Sequence, residues 1–107
     1  MKIKSLTIYC SASQKLDKKF YKLARETAKI ISNHEIIVVY GGGNVGLMGE
    51  IAKTLIKLRK EVIGIIPKFL INKEKINLKI THLKVVKSMS KRKEYLFKLG
   101  DAFLILP

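Results

Sequence analysis

A chain of 107 residues holds one domain and is too short for two, yet it can bury roughly two-thirds of its unfolded surface. With 48% hydrophobic residues it is not a disordered chain; its net charge of +14, from 22 Lys+Arg against 8 Asp+Glu, turns attention to polyanions. Its one cysteine, Cys10, allows no internal disulfide and suits a reducing cytoplasm, and no apolar run approaches the ~18 residues of a membrane span.

In chain order, Lys2 and Lys4 are followed by Ser5, Thr7 and Ser11, which interrupt any signal-peptide pattern. Residues 5–10 (SLTIYC) read as a strand. Asp17 is a candidate N-cap for a helix to about Ser32, with Phe20, Leu23, Ala24, Thr27, Ala28 and Ile31 on one stripe. Residues 36–40 (IIVVY) form a second strand. A helix from Val45 to about Arg59 then places Met48, Ile51, Ala52 and Leu55 together. Residues 62–66 (VIGII) form a third strand. Residues 68–80 (KFLINKEKINLKI) read as a short helix or as an excursion. Residues 83–86 (LKVV) are a fourth strand, and a helix follows from Met89 to about Leu99, with Ser88 or Ser90 as its cap and Gly100 at its stop. Residues 102–106 (AFLIL) close the series as its most apolar strand.

Strands alternating with helices, most of them continuous apolar runs, predict an α/β fold. The expected architecture is a Rossmann-like open parallel sheet with helices on both faces, in one domain spanning residues 1–107. A parallel strand wants a further crossover, and only Pro107 follows the last one. The pattern therefore reads as a domain truncated after the fifth strand.

The lysines (Lys15, Lys18, Lys19, Lys22, Lys29, Lys53 and Lys57 among them) are scattered rather than gathered in a stripe with aromatics. Arginine is confined to Arg25, Arg59 and Arg92. Lysine and isoleucine with little arginine is a compositional bias written on a solvated surface, so nucleic acid is not the expected partner. His34 and His82 lie far apart without Cys or acid at ligand spacing, so no metal is expected.

The chemistry gathers at residues 40–49, YGGGNVGLMG, which follow a strand and open a helix. Glycines at such a place let backbone N–H groups approach an anion, and the helix end adds its positive dipole. A tight structural turn is the competing reading. Gly41, Gly43 and Gly46 satisfy G-x-G-x-x-G, but the loop follows the second strand rather than the first. The next strand ends at Ile66-Pro67-Lys68, with Glu61 at its start, where a dinucleotide site needs an acid at the end. No Gly-Lys-Ser/Thr is present, so neither a dinucleotide nor ATP is the expected ligand.

Four segments together carry a resemblance. They are Tyr40 to Gly49, Val62 to Pro67 (VIGIIP), Met89-x-x-Arg92-Lys93, and Gly100 to Pro107 (GDAFLILP). The sequence resembles the LOG family of cytokinin riboside 5'-monophosphate phosphoribohydrolases, often labelled lysine decarboxylases. The family's C-G-S-S-like turn corresponds to Cys10-Ser11-Ala12-Ser13, with alanine in place of glycine. The resemblance runs in register over the whole chain and covers a little over half of a family member.

It implies hydrolysis of the N-glycosidic bond of AMP or an N6-substituted AMP, giving free base and ribose 5-phosphate without a cofactor. It implies Arg92 as a catalytic residue, and Gly41, Gly42, Gly43, Gly46, Met89, Lys93 and Ser11 as substrate-binding. From spacing alone Arg92 also reads as a surface arginine among lysines. Family members are usually cytoplasmic homodimers with sites near the subunit interface. Their next motif, G-G-x-G-T-x-x-E, supplies a phosphate cradle and a catalytic glutamate. These 107 residues stop one short of it, and Glu50 and Glu94 do not take its place. The expected activity of the chain alone is therefore nil. A non-catalytic nucleotide-binding module and a remnant of an interrupted gene are the alternatives. No lysine sits where a pyridoxal phosphate Schiff base is suggested, so the decarboxylase label draws no support from the residues.

Overall fold

The computed structural model describes residues 2–11, 13–77 and 79–107. Five strands, β1 (Ser5–Tyr9), β2 (Ile37–Tyr40), β3 (Val62–Pro67), β4 (His82–Val86) and β5 (Ala102–Ile105), form one sheet in the order β4-β3-β2-β1-β5. Every pairing is parallel. Helices α1 (Lys18–Ser32), α2 (Gly46–Lys57), α3 (Ile71–Glu74) and α4 (Met89–Leu99) lie between them, with a single 3-10 turn at Lys68–Leu70 ahead of α3. No helix among the described residues is long and apolar enough to cross a membrane.

The strand order explains the layers. Steps from β1 to β2 and from β2 to β3 run in one direction, so right-handed crossovers put α1 and α2 on the same face. The step from β4 to β5 returns across the whole sheet, and the same handedness sends α4 to the other face. Alternation along β2 serves both layers. Val38 and Tyr40 pack with Ala24 and Ala28 of α1 and with Leu47, Ile51 and Leu55 of α2. Val39 turns the opposite way, onto Ile65, Val86 and Leu96.

Local signals place the helix ends. The Asp17 carboxylate accepts from the Lys19 N–H at 3.0 Å and caps α1. Ser88, rather than Ser90, caps α4, its hydroxyl accepting from the Lys91 N–H at 3.1 Å. One expectation changes. Leu23 is 43% exposed, so the buried face of α1 is narrower than its apolar stripe and rests on Ala24, Ala28 and Ile31. The last strand pairs with β1, and its Phe103 and Ile105 side chains are exposed.

Residues far apart in sequence are tied together beside the β1–β5 pair. Asp101 accepts from the Lys4 and Ser5 N–H groups at 2.9 and 3.2 Å, and Ser5 Oγ donates to the Leu99 carbonyl at 2.6 Å. The cap assignment is directly testable. Ser88→Ala is expected to cost about 1 kcal/mol in urea unfolding, and Ser90→Ala within about 0.5 kcal/mol of zero. Equal losses for the two serines would contradict the assignment.

Candidate functional site

Strand order reverses at β1, which has β2 on one side and β5 on the other. Open α/β sheets offer a crevice at the carboxyl end of such a strand. A cavity of about 250 Å³ lies there. Its walls are Tyr9 and Cys10 at the end of β1, Gly41 after β2, Glu74 of α3, and Met89, Arg92 and Lys93 at the start of α4. Ile8, Met48 and Leu96 supply its apolar floor. A larger depression of about 640 Å³ lies among α1, α2, Ile76, Asn77 and Lys79, lined by Arg25, Asn44, Lys53 and Lys57 with Glu50. It touches the glycine loop only through Asn44 and contains none of the residues that the resemblance implies for catalysis or substrate binding, so the smaller cavity is the candidate site.

Arg92 organises that site from within. Although it stands in a run of charged residues, its side chain is only 8% exposed. Its Nε donates to the Ile65 carbonyl of β3 at 3.0 Å. Its Nη2 donates to the Gly41 carbonyl at 2.6 Å and pairs with Glu74 Oε1 at 2.8 Å. Nη1 meets the Met89 sulfur at 3.9 Å. The surface-arginine reading is therefore overturned. A guanidinium buried to this degree needs an acid and oriented carbonyls around it.

The glycine loop is shaped by the same group. A Cβ on Gly41 would collide with the Arg92 guanidinium. Gly42 has φ +80°, in the left-handed region that suits glycine. Gly43 receives the Tyr40 hydroxyl on its carbonyl at 3.0 Å and donates its N–H to the Met48 sulfur at 3.1 Å. Gly41, Gly42 and Gly43 are all buried. Packing within the protein thus accounts for the three consecutive glycines, and Gly41 alone reaches the cavity wall.

The other predicted residues divide. Met89 and Lys93 join Arg92 on the cavity wall, both with exposed side chains. Gly46 begins α2 and Ser11 follows β1, and neither is among the lining residues. Ser11 instead ties the edge together. Its N–H donates to the Pro107 carbonyl at 3.0 Å, and its own carbonyl accepts from the Met48 N–H at 3.4 Å. Ala12, in the same turn, falls outside the described residues, as does Leu78 in the stretch 68–80.

Sequence reasoning missed Glu74. One signal for it was available: it is the only acid in residues 68–80, and a chain leaving β3 must start from the carboxyl edge, where the site lies. Its backbone is docked independently of its carboxylate. The Asn44 N–H donates to the Glu74 carbonyl at 2.9 Å, and Ile76 forms an antiparallel bridge with Gly43.

Two titrating groups nearby are shifted away from reactivity. Burial pushes the Cys10 thiol from 9.0 up to about 11. Burial, followed by the charge of an ionised Cys10, holds the Tyr40 phenol well above its usual range. Cys10 is therefore a neutral part of the wall rather than a nucleophile.

With this geometry in view, comparison with known proteins is informative. The family model described as "Possible lysine decarboxylase" matches residues 48–107. The chain belongs to this family. Among curated relatives, the cytokinin riboside 5'-monophosphate phosphoribohydrolase of Rhodococcoides fascians is 37% identical over 97% of this chain and 53% of its own length. The enzyme of the same name, LOG1, from Arabidopsis thaliana is 34% identical over 99% of this chain and 50% of its own. The chain spans about half the length of the curated relatives it matches. Among solved structures, the molybdenum cofactor carrier protein of Chlamydomonas reinhardtii superposes with a TM-score of 0.81 at 18% identity, over 98% of this chain and 63% of that one. That likeness shows the shared Rossmann-like fold alone.

The Cys10 shift has a direct consequence. A thiol raised from 9.0 to about 11 carries roughly a hundredth of the thiolate at pH 8. Iodoacetamide should label the folded chain about a hundredfold more slowly than the urea-unfolded chain. Equal rates would refute the assignment.

Proposed function

We propose that these residues are the nucleotide-binding portion of a LOG-type nucleoside 5'-monophosphate phosphoribohydrolase. The reaction is hydrolysis of the N-glycosidic bond of AMP or an N6-substituted AMP. Water adds to the anomeric carbon, the carbon–nitrogen bond breaks, and the departing base takes up a proton, leaving ribose 5-phosphate. The observation that carries this reading is the 34–37% identity to two phosphoribohydrolases along nearly the whole chain. The convergence of Met89, Arg92 and Lys93 on one cavity at the strand ends supports it. A carrier of the kind suggested by the solved structures rests on fold alone.

The physical demands of the reaction suit the cavity. The substrate is an anion, and α2 and α4 both begin at this edge, adding their positive ends to Arg92 and Lys93. Arg92 is the catalytic residue of this set, directing its Nη1 toward the substrate. Gly41 and Met89 shape the wall, Lys93 meets the phosphate from the rim, and Gly42, Gly43, Gly46 and Ser11 hold the loops in place behind them. The cavity is smaller than the roughly 300–1,000 Å³ of most small-molecule sites, so a nucleotide would fill it and extend outward.

The ribose becomes oxocarbenium-like as the bond breaks, and that charge calls for a carboxylate. The family supplies one from G-G-x-G-T-x-x-E, which is absent from these 107 residues. Pro107 lies beside Ser11, so a chain continuing from it would begin next to the segment that follows Cys10 of the cavity wall. The complete protein is a cytoplasmic homodimer in this reading, with no cofactor.

The test compares the 107-residue chain with one extended through that motif. The extended chain should release ribose 5-phosphate from AMP, and the shorter one should not. Arg92→Lys in the extended chain, which keeps a cation beside Glu74 but not the planar fork, should lower kcat by about 10²–10⁴ with its circular dichroism retained. Comparable turnover by the two lengths would show that the active site lies elsewhere.

A further inference from the structure

We propose that Glu74 is a positioning residue for Arg92: it locks the guanidinium plane so that Nη1 is the edge presented to a ligand oxygen. This rests on the reading of the cavity as a ribose phosphate site. The guanidinium is a rigid planar fork that turns only about its Nε–Cζ bond, so how firmly Nη2 is held decides where Nη1 points, and the charge-assisted bond from Glu74 is the stronger of the two holds on Nη2. Nε is held by the Ile65 carbonyl, and Nη2 by the Gly41 carbonyl and Glu74 Oε1. Nη1 is left with a sulfur at 3.9 Å, a weak acceptor that a ligand oxygen readily replaces.

Of these three oxygens, two belong to the backbone and exist whatever the side chains are. The Glu74 carboxylate is the one contributed by a side chain, and it carries the only full negative charge among them. It is also dispensable for docking its own segment. That segment is held by the Asn44 N–H on the Glu74 carbonyl, the Gly43–Ile76 bridge, and the Asn77 N–H on the Gly42 carbonyl at 3.4 Å. The carboxylate therefore acts on Arg92 rather than on the fold of residues 71–77. Its side chain is 13% exposed and faces the same cavity.

The experiment uses the ¹⁵N-labelled 107-residue chain, ribose 5-phosphate as the probe, and the variants Glu74→Ala and Glu74→Gln. In the unaltered chain the Arg92 Nη signals should be resolved, because rotation of the fork is restrained. In Glu74→Ala they should collapse to an average, with the Nε–H signal and the backbone amides of Gly41–Gly43 and Ile76 unmoved. Ribose 5-phosphate should bind about tenfold more weakly. Glu74→Gln keeps the length and an acceptor oxygen, and should restore the restraint and most of the affinity. Should Glu74→Ala fail to fold, the glutamine variant carries the test through its retained restraint. Nη signals still resolved in Glu74→Ala, or backbone shifts at Gly41–Gly43 in both variants, would overturn the proposal. If the unaltered chain ignores ribose 5-phosphate while the Nη signals still collapse in Glu74→Ala, the positioning stands and the reading of the ligand falls.

Discussion

A positive charge buried among backbone carbonyls is the constraint around which this molecule is arranged. Arg92 starts on α4, reaches across to β3 and the loop after β2, and ends on an acid of α3. Four segments distant in sequence are thereby held at one point. A buried guanidinium is costly unless its donors are met, so the fold meets them with the Ile65 and Gly41 carbonyls and Glu74. Gly41 has to be glycine for the approach. Residues 71–76 have to fold back over the loop to bring the acid. The features that look like a ligand cradle in the sequence thus serve a side chain first and a ligand second.

This ordering suits the proposed chemistry of the site, the handling of an anionic substrate. An arginine free to swing would have to be ordered at the moment of binding, at an entropic cost. One already clamped by three oxygens has that ordering done during folding. The neighbouring thiol and phenol are held in their neutral forms, so the charges facing the cavity are Arg92, Glu74 and Lys93.

Much of the scaffold was legible in the sequence because its signals are local. Each strand could be read from a short, mostly apolar run, and Asp17 and Gly100 mark helix ends by their own chemistry. What escaped depends on tertiary contacts. Residues 68–80 show no periodicity because their 3-10 turn and four-residue helix are too short to have one. They are held by the Gly43–Ile76 bridge and by backbone bonds to the glycine loop. Lys75 even takes φ +57° at the end of α3, which no propensity would suggest. Arg92 lies in the run Ser88–Lys93, where nothing marks one cation as buried and its neighbours as solvated. Its motif position singled it out, but only the acid brought by an unreadable segment explains its burial.

The placement of β1 has a consequence for how the chain comes to be folded. It precedes both of its neighbours in the sequence, pairing with β2 on one side and with β5 on the other. During synthesis its β2 flank can close early, while its other flank stays open until residues 102–105 have left the ribosome. The bonds from Asp101 back to Lys4 and Ser5, 97 and 96 residues apart, can form only then. Contacts of such separation slow folding, because loop closure precedes any stabilisation. Until those residues are made, the nascent chain therefore presents an unpaired, apolar strand flank, the kind of surface that chaperones and mispairing both seek.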